Sequence, residues 1–67
     1  MVLKVIELIG VSKSGFEDAI ASAVQRSSKT VKNITGVDVL GQSVKVKDGK
    51  VVEYRTHLKA AFVVEDK

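Results

Sequence analysis

The stretch VVEYRTHLKAAFVV, residues 51–64, alternates between two sets of side chains along its whole length. Its even positions form a nearly continuous apolar set: Val52, Tyr54, Thr56, Leu58, Ala60, Phe62 and Val64. Successive side chains of a strand point to opposite faces, so this spacing predicts one long amphipathic strand. Most strands have about five or six residues. A chain of 67 residues has little else with which to cover so long an apolar face, and we therefore predict self-association.

The opening segment, Val2 to Ile9, predicts a first strand. It is rich in β-branched residues, and Lys4 and Glu7 interrupt it once on each face. A strand that is apolar on both faces is typically central in its sheet or covered on both sides. Gly10 is expected to end this strand, and Val11 to Ser14 to form a short connection.

A helix is predicted next. Ser14 and Glu17 have the spacing of a capping box, with Ser12 as an alternative N-cap one turn earlier. Apolar and small residues then recur every three or four positions, as in an amphipathic helix. This stripe consists of Phe16, Ala19, Ile20, Ala23, Val24, Ser27, Val31 and Ile34. Asn33 and Gly36 are the predicted stop signals.

The second half of the chain predicts a β-hairpin. Val37 to Lys47 forms the second strand, and its apolar positions change face near Gly41, Gln42 and Ser43, which indicates a bulge. Asp48-Gly49 is a strong hairpin turn before the strand of residues 51–64, and residues 65–67 are a polar tail. The fold prediction is α+β: a single β-α-β-β domain over residues 1–67, with a three-stranded antiparallel sheet partly wrapped around one helix.

Composition excludes several classes of protein. The chain has no cysteine, hence no disulfide, and one core of fewer than about 70 to 80 residues is rarely stable without a disulfide, a metal or oligomerisation. The net charge of +3 comes from scattered lysines and arginines rather than a basic stripe, which argues against a nucleic-acid partner. No signal peptide or long apolar run is present, so we predict no membrane association and a cytoplasmic location.

Signatures of catalysis are nearly absent. His57 is the single histidine and lies in mid-strand between Arg55 and Lys59, which favours a surface or interface position. The serines suit helix caps and surfaces better than a nucleophile, which needs an adjacent base. The segment from Gly10 to Gly15 precedes a helix but lacks the spacing of a phosphate-binding loop. We predict that the protein is not an enzyme.

Ligand binding is less easily excluded. Arg55, next to Tyr54, could stack on or fork onto a planar ligand, and an interface salt bridge is an equal alternative. No calcium loop of EF-hand spacing exists. A cation site could still be assembled across subunits from acidic residues, although each of these suits a solvated surface: Glu7, Glu17, Asp18, Asp38 and Glu53. The metal ligands are therefore not assigned.

Four segments resemble the dodecin family in register and without gaps: KVIELIG (4–10), VSKSGFEDAI (11–20), AVQRSSKTVKNI (23–34) and YRTHLKAAF (54–62). The resemblance implies a hollow, cubic shell of twelve copies, which agrees with the self-association predicted above. Flavin-binding dodecins hold FMN, riboflavin or related isoalloxazines in pairs between tryptophans that follow the helix. The implied role is sequestration and photoprotective quenching rather than turnover.

This sequence departs from that pattern at the stacking position. The family's tryptophan falls at Gly36, and the next position, often aromatic, is Val37. Arg55 occupies the polar position that contacts the isoalloxazine, with Asp38 and Gln42 near it on the second strand. Aromatic stacking contributes about 1 to 3 kcal/mol per contact, so flavin binding is predicted to be weakened or lost. The segments Val24-Gln25-Arg26 and Tyr54-Arg55 more closely resemble a branch of the family that lacks this tryptophan, called calcium dodecin. This resemblance makes a flavin-free shell that binds cations or serves as a scaffold the alternative.

Overall fold

The computed structural model describes residues 1–64. It contains strand β1 (Val2–Ser12), helix α1 (Phe16–Ser27), strand β2 (Ile34–Lys47) and strand β3 (Lys50–Val64). The strands form one antiparallel sheet in the order β1-β3-β2, which confirms the predicted fold class. Residues 65–67, the predicted polar tail, lie outside the described residues.

The hairpin between β2 and β3 forms where the turn residues predict it. Asp48 and Gly49 both have positive φ, 51° and 74°, as a two-residue hairpin turn of the I′ type requires. The predicted bulge is also present, as a register shift between Val39 and Gly41. Because of this shift, Val39 and Val44 pair with Leu58 and Tyr54 and share the face of the sheet that carries the helix.

Helix α1 packs on β1 and β3, and the small core lies between them. Among residues 1–64, the buried apolar side chains are those of Ala19, Leu58 and Ala60. The prediction that Gly10 ends β1 was wrong, since the strand continues to Ser12. A Cβ atom at Gly10 would overlap the carbonyl oxygen of Ala19 and lie 2.9 Å from its carbonyl carbon. This glycine therefore permits the close approach of helix and strand.

The start of the helix differs from the predicted capping box. Gly15 is the N-cap and no side chain caps the helix. Instead the Ser12 hydroxyl accepts hydrogen bonds from the backbone N–H groups of Ser14 (2.9 Å) and Gly15 (3.4 Å) and donates one to Asp18 Oδ2 (2.7 Å). The prediction based on Ser14 and Glu17 was wrong because the polar atom that orders this loop comes from the end of β1.

The end of the helix was also predicted too late. The helix ends at Ser27, and β2 begins at Ile34 rather than Val37. The hydroxyl of Ser28 donates to the Val24 carbonyl at 2.7 Å, a local bond that competes with continued helix. Asn33 then takes a left-handed conformation, with φ 65°. The stripe therefore ends at Ser27, and Val31 and Ile34 belong to the connection and to β2.

Strand β1 is an edge strand and is covered on one face. We expected a central strand or a strand covered on both faces because its pattern is apolar throughout. The face away from the helix is open, and the described residues leave four large apolar side chains of β1 about half exposed on it. These are Leu3, Val5, Ile9 and Val11.

Candidate functional site

The face of the sheet away from the helix, here the outer face, carries most of the candidate binding residues. On β3 it is formed by the odd-numbered residues, since Leu58 and Ala60 are buried under the helix. Residues paired across neighbouring strands share a face. The outer face therefore includes these residues of β2 and β1: Gly36, Asp38, Gly41, Ser43, Glu7, Ile9 and Val11.

Two glycines make the outer face low along the edge strand β2. Gly36 is paired with Ala61 and Gly41 with His57. A Cβ atom built on either glycine meets nothing within 4 Å. The surface above β2 is thus shallow and open, and a flat molecule could lie on it against backbone and small side chains.

The register divides the five predicted binding residues between the two faces. Gly36, Asp38 and Arg55 lie on the outer face, where Asp38 is opposite Lys59 and Arg55 is opposite Ser43. Val37 and Gln42 are paired with Ala60 and Thr56, whose side chains are buried on the helix side.

Gly36 and Arg55 also lie far apart within one copy. Gly36 is level with Ala61, six residues from Arg55 along β3, which corresponds to about 20 Å of strand. A tricyclic ring system is shorter than this distance. A ligand of that size that touches both positions must take Gly36 from one copy and Arg55 from another.

Arg55 makes an ion pair on the outer face. Its Nε lies 2.6 Å from Oε2 of Glu53, two residues earlier on the same face. The side chains are 45% and 24% exposed, respectively. No other hydrogen bond of the Arg55 guanidinium is found within residues 1–64, so its two terminal nitrogens are available. Sequence reasoning placed Glu53 only among the acidic surface residues, although its spacing of two from Arg55 on one strand was a signal for this pair.

A shallow depression of about 350 Å³ lies beside the bulge of β2. Its lining consists of Glu7, Leu40, Gly41, Gln42, Ser43 and His57. His57 and Glu7 line the same depression, although by register His57 is opposite Ile9 and Glu7 is opposite Lys59. Even so, no group of three or more His, Asp or Glu side chains that could hold a metal ion occurs in residues 1–64.

Charges on the outer face are matched across the strands. Lys59 on the central strand lies opposite Glu7 of β1 and Asp38 of β2. Lys45 lies opposite Glu53. Opposite charges in directly paired positions stabilise a sheet, so the outer face combines paired charges across its central strand with low positions along β2.

Tyr54 belongs to the other face and cannot serve as a platform beside Arg55. Its ring packs edge-on against Phe16 of the helix, with ring centroids 5.1 Å apart and an interplanar angle of 81°. This geometry is a favourable one for aromatic pairs. The ring of Tyr54, although next to Arg55 in sequence, therefore packs the start of the helix against β3.

No helix in the described part of the chain is long and apolar enough to cross a membrane.

Comparison with known proteins gives consistent results for nearly the whole chain. The Dodecin family model matches residues 2–65. A calcium dodecin of Mycobacterium tuberculosis is 38% identical over 61 residues, 91% of this chain and 86% of that protein. A dodecin of Thermus thermophilus is 32% identical over 65 residues, 97% of this chain and 94% of that protein.

Solved structures agree with the sequence matches. The dodecin of Streptomyces coelicolor superimposes with a TM-score of 0.94 at 29% identity, over 98% of this chain and 94% of that one. The calcium dodecin of Mycobacterium tuberculosis, whose structure is described as having a novel calcium-binding site, gives a TM-score of 0.85 at 38% identity over 97% and 93%. With its order of elements, its sheet and its sequence all matching, the chain belongs to the dodecin family.

Proposed function

We propose that this chain is a non-enzymatic binding and storage protein that assembles into a closed shell of twelve copies and holds a planar ligand of the flavin class between copies. The observation that carries the proposal is the outer face, which is open at Gly36 and Gly41 and carries the accessible guanidinium of Arg55. The proposed ligand meets Gly36 of one copy and Arg55 of another. Membership of the dodecin family supports it.

The surface of an isolated copy supports assembly. The chain exposes 5094 Å², whereas a folded monomer of 7.2 kDa exposes about 4,100 Å². The excess of about 1,000 Å² is close to what one partner contributes to a stable interface. The radius of gyration, 13.8 Å, also exceeds the value of about 11 Å typical of a compact domain of this length.

Apolar side chains on both faces of the sheet need a cover that one helix cannot supply. On the helix side, β2 and the hairpin extend beyond α1 and leave Val39, Val44 and Val46 from 41% to 58% exposed. On the outer face the exposed apolar residues include those of β1 described above and Leu40, which lines the depression beside the bulge. Other copies are the proposed cover for both surfaces, because homo-oligomers with closed symmetry are the usual way to bury such faces.

The proposed ligand binds without aromatic stacking at position 36. Gly36 supplies space but no ring, so affinity comes from Arg55, from polar groups of the outer face and from the partner copy. We expect riboflavin binding to be weaker than that of a tryptophan-bearing site by a factor of about tens to thousands, from the loss of a pair of stacking contacts.

Quenching of riboflavin fluorescence tests this function directly. The purified assembly is titrated into micromolar riboflavin, and Gly36→Trp serves as the matched variant that restores the ring. We expect partial quenching by the natural chain and tighter binding by Gly36→Trp. Micromolar riboflavin that stays fully fluorescent with the natural chain would remove the flavin proposal, whatever Gly36→Trp does.

A second candidate function is a flavin-free shell that binds calcium or another cation, or that serves as a scaffold. The observation in its favour is the 38% identity to a calcium dodecin. Residues 1–64 of one copy provide no cluster of three acidic or histidine ligands, and the proposed cation site draws on acidic residues of more than one copy. Calcium should then raise the melting temperature and a chelator should lower it, and an unchanged melting curve in both cases excludes the cation version.

A further inference from the structure

We infer that Glu53 is a positioning residue for Arg55, and that the pair selects planar ligands with two adjacent hydrogen-bond acceptors on one edge. This inference rests on the proposed function, because it specifies the chemistry of the same outer-face site. The observation behind it is the 2.6 Å contact between Arg55 Nε and Glu53 Oε2 on two residues of one strand face.

The contact uses one corner of the guanidinium. A guanidinium carries five N–H donors in a fixed plane, one on Nε and four on the two terminal nitrogens. Glu53 accepts from Nε. Within the described residues, nothing accepts from the terminal nitrogens, so the edge that they form remains a two-pronged donor. Such an edge is complementary to two acceptors side by side.

The neighbours of Arg55 leave this edge accessible. Across the strands it faces Ser43 on β2 and Val11 on β1, and neither carries a charge that would compete for the guanidinium. Glu53 is itself opposite Lys45 by register, but its ion pair among residues 1–64 is with Arg55. An arginine without a partner loses side-chain conformational entropy when it binds a ligand. Arg55 loses less, because Glu53 already restricts its side chain.

These features define the ligand class more narrowly than planarity alone. An isoalloxazine has a ring nitrogen and a carbonyl oxygen next to each other on its pyrimidine edge, and both are acceptors. A planar tricycle without carbonyl groups, such as acridine, offers no such pair. Binding of the first kind of ring should depend on Arg55 and Glu53, whereas binding of the second should not.

The experiment measures dissociation constants of riboflavin and acridine by fluorescence, using the whole assembly. The variants are Arg55→Lys, Glu53→Gln and the double variant, with Lys45→Gln as a matched control that removes a charge opposite Glu53 and leaves the pair intact. Sedimentation confirms that each variant is assembled. If Glu53→Gln does not assemble, Glu53→Asp replaces it, because the shorter side chain cannot reach Nε.

We expect Arg55→Lys to weaken riboflavin binding about 10-fold or more and Glu53→Gln to weaken it about 3- to 10-fold. The double variant should be no weaker than Arg55→Lys alone, because Glu53 acts through the guanidinium. Acridine binding and the Lys45→Gln control should stay within about twofold of the natural chain.

The outcomes separate this inference from the proposed function. If the natural chain binds riboflavin and Glu53→Gln binds it equally well, or if the two losses add, Glu53 does not position Arg55. If the variants lose as much affinity for acridine as for riboflavin, Arg55 does not recognise the two acceptors on the edge of the ring. If the natural chain binds neither ring, the ligand class and the proposed function both fail. The positioning itself is then tested by exchange of the Arg55 Nε proton, which should be slower in the natural chain than in Glu53→Gln.

Discussion

Replacing Gly10 by alanine adds one methyl group at the point where strand β1 and helix α1 are closest. The new Cβ would overlap the Ala19 carbonyl oxygen, lie 2.9 Å from its carbonyl carbon and lie 3.1 Å from the Cβ of Ala23. Unstrained contacts between carbon atoms need about 3.5 Å, so the helix would have to retreat by at least about 0.5 Å. The atoms that it meets are backbone, which cannot rotate away.

The expected cost is about 1 to 3 kcal/mol, the usual cost of overpacking a core. One small core provides roughly 3 to 5 kcal/mol in a domain of this size, so the loss is a large part of what a single copy contributes. Chemical denaturation followed by circular dichroism measures the free energy of unfolding, at one fixed protein concentration because assembly also stabilises the fold.

Gly36→Ala is the matched control for this experiment. It makes the same chemical change in a strand, at a position where the added Cβ meets nothing within 4 Å. We expect its free energy of unfolding to stay within about 0.5 kcal/mol of the natural chain. Equal stability of Gly10→Ala and Gly36→Ala would refute the reasoning that Gly10 is required by helix packing.

Three further predictions concern the helix side of the sheet. The Thr56 hydroxyl is buried without a partner in the described structure, so Thr56→Val should raise the free energy of unfolding by about 1 kcal/mol. The control Thr30→Val, at an exposed site, should not raise it. A Thr56→Val variant less stable than the natural chain would contradict this. Leu58→Glu buries an unpaired charge at a cost of several kcal/mol, so sedimentation should show no assembly. The control Lys47→Glu, at the exposed hairpin, should still assemble. A well-folded Leu58→Glu monomer would contradict this prediction. Ser12→Ala removes the hydroxyl that orders the loop before the helix. It should lower the free energy of unfolding by about 1 to 2 kcal/mol, and with it the melting temperature. An unchanged melting curve would mean that this hydroxyl does not stabilise the fold.

Features set by local chemistry could be predicted from the sequence. Asp48-Gly49 specifies a tight turn by itself, and the alternation in residues 51–64 specifies a strand whatever surrounds it. The bulge near Gly41 was visible because the apolar positions of β2 change parity there. In each case one segment carries the whole signal.

Features that depend on two segments could not be predicted in the same way. Gly10 is explained by the position of Ala19, and the helix start by a hydrogen bond from Ser12, at the end of β1. Val37 and Gly36 are adjacent in sequence but lie on opposite faces, and which face each takes depends on the register between β2 and β3. The candidate site was therefore predicted as a set of positions, while its division between the two faces required the pairing of strands.

The strand order also bears on how the protein is made. The central strand, β3, is the last of the three to be synthesised, and β1 and β2 do not pair with each other. While the ribosome is still translating residues 50–64, the two earlier strands have no common neighbour, and the sheet has no way to form. Folding of this domain must therefore follow synthesis of its final segment, which leaves the nascent chain to be protected from aggregation until then.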